Sequence, residues 1–554
     1  MAALLTLLLA VATAPVPGKD LLLDGGIVYA SAESRPSAAS VLIQRGRIVF
    51  VGDAEEARRR AGAAPRRELH GAFVFPGWTD VHLHLLELGQ SLESADLRGA
   101  ANADDAARRM AASAARLPQG VWVEGFGWDQ NRWPGAAFPD AKDLDRAVSD
   151  RPAVARRVDG HAIWVNSAAL SAAGITAATP DPENGRIVRR ADGSPTGVLI
   201  DGARALVRDV QPKATAADRE RRLRLATAAC VRAGLTEVGD ASAYDADAVA
   251  SIAKLADSGA LPIRVYATVS SQPASLPGFL VAGPRLGGGD DFLTVRAIKV
   301  YADGALGSRG AALLEDYADA PGQRGWFVTP PERMAEVAVE ARRRGWQLWI
   351  HAIGDRGNRA ALDAFESAER AVPKPPPGGE RPRIEHAQVV APEDFARFGR
   401  LGVIASIQPT HATSDMPWAE ERLGPVRVKG AYAWRRLLEG GARLAGGSDA
   451  PVESERPLLG FYAAVTREDL SGRPAGGWYP SQKLTRPEAL ALFTSGAAYA
   501  AFEEDRRGRI APGMEADLTV LARDPMAVPD GEIPTIPVAL TVVGGRIAYE
   551  RTAP

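Results

Sequence analysis

With 554 residues, 46% of them hydrophobic and 24% charged, the chain is long enough for one barrel-sized body with a satellite, and its composition excludes large-scale disorder. A formal net charge of −2 gives bulk electrostatics no hold on nucleic acid or an anionic membrane, and the runs Arg58–Arg60 and Arg342–Arg344 read as solvated helix faces. The single cysteine, Cys230, excludes an intrachain disulfide framework and a multi-cysteine zinc site.

The chain opens on an apolar run from Ala2 to Ala14, interrupted only by threonines. As a helix it would reach roughly 20 Å, short of the roughly 30 Å hydrocarbon core, so it fits a signal-peptide h-region and not a membrane span. Residues 1–19 are therefore expected to be a signal peptide or apolar leader, with Ala12-Thr13-Ala14 as an A-x-A-like cleavage site. Two features depart from that pattern: Pro15 follows at once, and no Lys or Arg precedes the run. A true signal peptide would send the protein to the periplasm or outside the cell; a plain leader would leave it in the cytoplasm.

Next come "DLLLDGGIVYA" and "SVLIQRGRIVFVGD", which alternate and turn at Gly-Gly or Arg-Gly as hairpins do. They resemble "ADLTVLARDP" and "ALTVVGGRIAYE" at the other end, so residues 20–72 and 504–554 are expected to build one β-sandwich from both termini. A first barrel strand is expected within 73–85, then an inserted α/β lobe over 86–215, then the rest of a barrel over 216–503. In that last stretch a helix, a glycine and a short apolar strand recur, as in "PPERMAEVAVEARRRG" before "WQLWIHAIGD". Helices alternating with buried strands imply a parallel sheet. Strands are expected near 74–82, 235–240, 263–269, 294–301, 346–351, 383–387, 402–408 and 442–447, and eight is the number of a TIM-type (β/α)8 barrel. "VPKPPPGGERPR" is a polar connector that cannot be helical.

Chemistry gathers at the strand ends. In "DVHLH" the alternation of a strand puts His82 and His84 on one side, and at the C-terminal end of a barrel strand that side is the mouth where active sites lie. Alone, the pair reads equally well as surface histidines. His351 ends "WQLWIHA", His386 ends "RIEHA", Asp449 follows the last strand in "GGSDAP", and Lys299 sits inside the apolar run "RAIKVYADG". A lysine there needs a partner or a modification. Imidazole and carboxylate suit zinc, and also manganese, iron or cobalt, and a metal with an open position acidifies its water.

The order "DVHLH", "IKVYADGALGS", "IHAIGD", "RIEHAQ", "GSDAPV" resembles the metal-dependent amidohydrolase superfamily. "GFGWDQNRWPG", "VDGHAIWVNSAAL" and "YADGALGSRGAAL" narrow the resemblance to its N-substituted formamide deformylase-like (YtcJ-like) branch, over nearly the whole chain from residue 20. The resemblance implies two zinc ions per chain, with a single-metal site as the alternative. His82 and His84 would bind one, His351 and His386 the other, and a carboxylated Lys299 would bridge them. Asp449 would be a metal contact and the general base and acid. Resemblance and position also suggest a substrate shell of His161, His411, Trp128, Asp129, Trp164, Asp303 and Arg309, with Trp133 beside the tryptophans. The implied reaction is attack of metal-bound hydroxide on an N-formyl or N-acyl amide with an apolar N-substituent. The same site could act instead on a cyclic amide, a lactone or a ring that is deaminated, and a catalytically silent scaffold is the non-enzyme alternative. The expected partner is a small-molecule amide, with neither nucleic acid nor a membrane span, and a homodimer is the default oligomer.

Overall fold

The structure is a computed structural model that describes residues 20–182, 184–376 and 380–552. The leader at 1–19, and with it the export reading, lies outside the described residues. Among the described residues no helix is long and apolar enough to cross a membrane.

The centre is the expected barrel. Its parallel strands are β1 (Trp78–Leu83), β2 (Leu235–Tyr244), β3 (Arg264–Ser270), β4 (Leu293–Tyr301), β5 (Gln347–Ala352), β6 (Arg383–His386), β7 (Ile404–Ile407) and β8 (Arg443–Gly446), neighbours in the order of the chain. Helices such as Ala216–Arg232, Pro331–Arg343 and Asp355–Ala371 return the chain between them. Every residue of β1, β5 and β6 is buried. Helices cover the outer faces, and the inner faces meet across the axis. There Tyr266 and Trp349 stack with ring centroids 5.7 Å apart, and the Arg383 guanidinium lies 3.6 Å from the centre of the Trp349 ring. The interior is thus filled by side chains below the level of the strand ends.

Among the described residues no ladder pair joins β8 to β1. The loop after β8 closes that seam: the Asp449 amide donates to the His82 carbonyl (2.6 Å) and the His84 amide to the Ala450 carbonyl (2.8 Å). Gly447 permits the approach, since a Cβ there would stand 2.7 Å from both the His82 nitrogen and Asp80 Oδ1.

The run expected as one strand over 74–82 is two. Phe73–Pro76 belongs to the terminal sheet and Trp78–Leu83 to the barrel, and the break falls at Gly77, where a Cβ would sit 2.2 Å from Thr236 Oγ1. Both termini enter one eight-stranded sheet, in which Phe73–Pro76 pairs antiparallel with Leu518–Leu521 and parallel with Leu21–Val28. Its buried face gathers Leu23, Val41, Ile43, Val520 and Val542 around one small core.

Between β1 and β2 lie helix Leu85–Glu93 and a separate six-stranded sheet. The helix packs its Leu85 and Leu88 into the barrel core. The sheet spans Ala95–Asp96 to Pro195–Asp201, is flanked by helices such as Ala103–Ala114, and has cores of its own. Its strands Val123–Trp128, Ala153–Arg157 and Pro195–Asp201 end over the barrel mouth, so residues just beyond them overhang the ends of β4 and β5.

Candidate metal centre

At the mouth, strand ends and lobe enclose a cavity of about 980 Å³. His82, His84, Lys299, His351, His386, His411 and Asp449 form its floor. Asp449 is the hub. Its Oδ1 lies 3.1 Å from His84 Nε2 and 3.4 Å from His82 Nε2, and its Oδ2 lies 3.8 Å from His411 Nε2. The rings of His82 and His386 are 5.0 Å apart, those of His351 and His386 4.6 Å. His386 and Asp449 both hold left-handed backbone, with φ of 75° and 59°, a conformation that costs such residues about 1–3 kcal/mol and that surrounding structure must impose.

Two groups of side chains bring their ligand atoms within 4.8 Å of one another: His82, His84 and Asp449, and His386, His411 and Asp449. The second group takes His411, assigned to the substrate shell from the sequence, where the resemblance pairs His386 with His351. His351 stands just behind, with Nε2 3.6 Å from Asp303 Oδ1.

Charge and protonation follow from burial. Burial raises the Asp449 carboxyl, but its bonds to His82 and His84 bring it well below the usual carboxylate range. His84 moves up, because Asp449 outweighs the cost of burying its charge. His351 and His386 are pushed well below the usual histidine value, first by burial and then by the cations around them, so both rings are neutral. Burial brings the Lys299 ammonium down to about 8, and its Nζ lies 3.3 Å from His82 Nε2.

The residues fit a divalent metal. His351 Nε2, His386 Nδ1 and His411 Nε2 are buried without any hydrogen-bond partner, which is costly unless something else satisfies them. Neutral imidazoles, a carboxylate and a depressed lysine are a donor set suited to zinc, manganese, iron or cobalt.

Glu385 was not singled out from the sequence, although it stands inside "RIEHA". It faces the interior with Arg383, two residues before it, and accepts from Arg383 Nε (2.8 Å) and Nη2 (3.0 Å). Burial would raise its carboxyl, but Arg383 and His82 bring it down to about 2. An ionised carboxylate only accepts, so the proton shared with His82 sits on Nδ1, and Nε2 is the nitrogen that faces Asp449 and Lys299. Two opposite charges at a spacing of two in a short apolar strand were the available signal.

The outer shell divides. His161 lines the cavity, with Nδ1 bonded to Asp201 Oδ1 (2.7 Å) and its ring 5.3 Å from that of His351. Asp129 also lines it and accepts from Arg157 Nη2 (2.6 Å). Asp303 accepts the amides of Ala312, Ile353 and Gly354, and burial still raises its carboxyl to about 7. It ties the loops after β4 and β5 together behind His351. The expectation for Trp128, Trp164 and Arg309 is corrected. Trp128 and Trp164, with Trp133, fill the lobe's core and bond backbone carbonyls of Ala155, Asp140 and Ala100. Arg309 pairs with Asp319 at 2.8 Å and is not part of the cavity wall.

A model of the Amidohydrolase family matches residues 67–549. This chain belongs to the amidohydrolase family. It is 36% identical over 537 residues to the YtcJ protein of Bacillus subtilis, covering 95% of this chain and 99% of that one. It is 27% identical over 571 residues to the N-substituted formamide deformylase of Arthrobacter pascens, covering 96% of this chain and 99% of the other. A crystal structure of an uncharacterized metal-dependent hydrolase from Pyrococcus horikoshii superposes with a TM-score of 0.74 at 29% identity, over 92% of this chain and 99% of the other. The protein is thus a metal-dependent hydrolase of carbon–nitrogen bonds, built on the barrel and branch that its motifs resemble.

Proposed function

We propose that the protein hydrolyses a small N-formyl or N-acyl amide with an apolar N-substituent. The observation that carries this is the convergence of His82, His84, His386 and His411 on the Asp449 carboxylate at the floor of a deep cavity. The similarity to a formamide deformylase favours the N-formyl or N-acyl class.

In this reading His82 and His84 would hold one zinc ion, His386 with His351 or His411 would hold a second, and Asp449 would be a further contact. When bound, such an ion polarises a carbonyl and makes water more acidic. The rest is done by the chain. Asp449, the one carboxylate among the described residues that belongs to both histidine groups, takes the proton of the attacking water on a carboxylate oxygen and returns it to the departing nitrogen. His161, held by Asp201 beside His351, donates from Nε2 to the oxygen on which negative charge grows. The lobe overhangs the mouth and lines one side of the cavity.

Lys299 completes the reading. Its buried amine has no carboxylate in ion-pair contact among the described residues. As a neutral amine it would add to carbon dioxide through Nζ and release a proton, giving a carbamate that would serve as an anionic oxygen ligand. The test is release of formate or acid from a panel of N-formyl and N-acyl amines by wild type and Asp449→Asn, with intact mass for the Lys299 adduct. Turnover lost in the variant supports the reading; equal turnover in both sinks it.

A further inference from the structure

Among the described residues, two arginines face the cavity without a carboxylate in ion-pair contact. Arg204, just beyond the lobe strand Pro195–Asp201, lines the cavity and donates only to backbone carbonyls, those of Gly160 and of Asp201 (3.1 Å). Arg156, on the strand Ala153–Arg157, lines the same cavity, and its side chain makes no hydrogen bond or ion pair to the described residues. The two are close enough to repel: burial lowers the Arg204 guanidinium first, Asp201 opposes it, and Arg156 adds to the lowering. The nearby carboxylates are directed elsewhere. Asp159 is bonded to Arg157, and Asp201 offers its Oδ1 to the His161 ring while its Oδ2 is turned toward Gly304 and Gly310. Asp201 is further fixed by left-handed backbone (φ 46°) and by its amide, which donates to the His161 carbonyl at 2.8 Å.

Half-buried guanidinium groups are normally paired, and their planar fork matches a carboxylate with two parallel bonds. The position is informative as well. Arg204 adjoins Asp201, Asp201 holds His161, and the His161 ring lies 5.3 Å from that of His351. An anion on Arg204 would therefore sit on the lobe side of the same cavity, toward the His351 edge of the metal centre. The apolar part of the wall includes Leu306, Trp418 and Val452.

We propose that Arg204, assisted by Arg156, forms a subsite for a carboxylate carried by the substrate, so that the preferred substrates are N-formyl or N-acyl amino acids with an apolar side chain. This rests on the amide-hydrolase reading above and narrows it. Substrate carboxylate and scissile amide would be gripped at once, by the lobe and by the barrel floor, which makes the lobe a reader of charge as well as a cover.

The test has two arms on the full-length, metal-loaded protein. In the first, calorimetry compares binding of phenylacetate with that of uncharged 2-phenylethanol, in wild type, Arg204→Gln and Arg156→Gln. The expected result is a carboxylate preference of roughly ten- to hundred-fold in wild type, lost in Arg204→Gln and reduced in Arg156→Gln. Equal affinity in wild type, or a preference that survives in both variants because the anion sits on the metals, overturns the subsite. In the second arm, kcat/KM for N-formylphenylglycine is divided by that for N-formylbenzylamine. The ratio should fall about ten-fold or more in Arg204→Gln. Cleavage of neither amide with the binding preference intact would remove the hydrolytic reading and leave the subsite standing. Cleavage of both at a ratio unchanged in Arg204→Gln would do the reverse. Should Arg204→Gln not fold, Arg156→Gln and Arg204→Lys carry the test, the latter keeping the charge and most of the preference.

Discussion

Glu385 reaches across the barrel interior to accept the Nδ1 proton of His82, while Arg383 binds both oxygens of the same carboxylate. One strand thus contributes His386 to the floor and, one residue earlier, the group that orients a histidine on β1. The arrangement fixes which nitrogen of His82 faces the centre. Glu385→Gln, which can present either a donor or an acceptor, should weaken metal retention by about 10–100-fold, read by titration with a chelator. Glu385→Leu should also lower stability by about 3–5 kcal/mol, because it strands Arg383 in the interior.

Asp449→Asn keeps the shape of the hub and removes its basicity. A fall in kcat of at least about a hundred-fold, with the circular dichroism spectrum unchanged, is the expected outcome. Retained turnover would move the proton carrier elsewhere.

The seam between β1 and β8 gives a structural prediction. Gly447→Ala would press a methyl group against the His82 backbone and the buried Asp80 carboxylate, each 2.7 Å away. A loss of about 1–3 kcal/mol in denaturant unfolding is expected, together with faster metal loss, because the displaced backbone carries both His82 and Asp449.

The barrel, the terminal sheet and the floor were legible because each rests on a local signal. Strand ends carry polar residues after apolar runs, and His82, His84, His351, His386, Lys299 and Asp449 all fall at such ends. What resisted reading depends on direction in three dimensions. Trp128 and Trp164 stand in the same lobe segments as Asp129 and His161, yet strand alternation and the turn after Trp128 send the indoles inward and the polar groups to the cavity. Glu385 was hidden by its neighbour, since one histidine explained the motif. Gly77 looked like a residue within a strand and is the point where the chain passes from one sheet to another.

Trp128→Ala supplies the contrast between lobe core and cavity wall. The ring is fully buried among Trp133, Phe138 and Trp164. Its removal should cost about 3–5 kcal/mol of lobe stability. Trp128→Phe, which keeps most of the packing, should leave KM within about two-fold of wild type, where a wall residue would raise it.

Far from the site, helix Arg486–Leu492 opens with a reciprocal cap in which Glu488 bonds Thr485, and Arg435 holds the same carboxylate at 2.7 Å. Arg435 is the main cause that lowers the Glu488 carboxyl, from its ordinary 4.5 to about 2. A depressed carboxyl adds stability above its unfolded value and loses it as pH falls through its folded one. Glu488→Gln should therefore lower the melting temperature at neutral pH, by an amount equivalent to about 1 kcal/mol, and the gap to wild type should close as the pH approaches about 2.

In the proposed reading His82, His84, His351, His386, Lys299 and Asp449 would together hold two divalent ions. Metal per chain, measured by plasma mass spectrometry after reconstitution with zinc, tests it most directly in wild type and in the double variants His82→Ala/His84→Ala and His351→Ala/His386→Ala. Two ions are expected in wild type and at most one in each variant, with the fold retained. A folded wild type that binds none, or variants that bind as much as wild type, would contradict it.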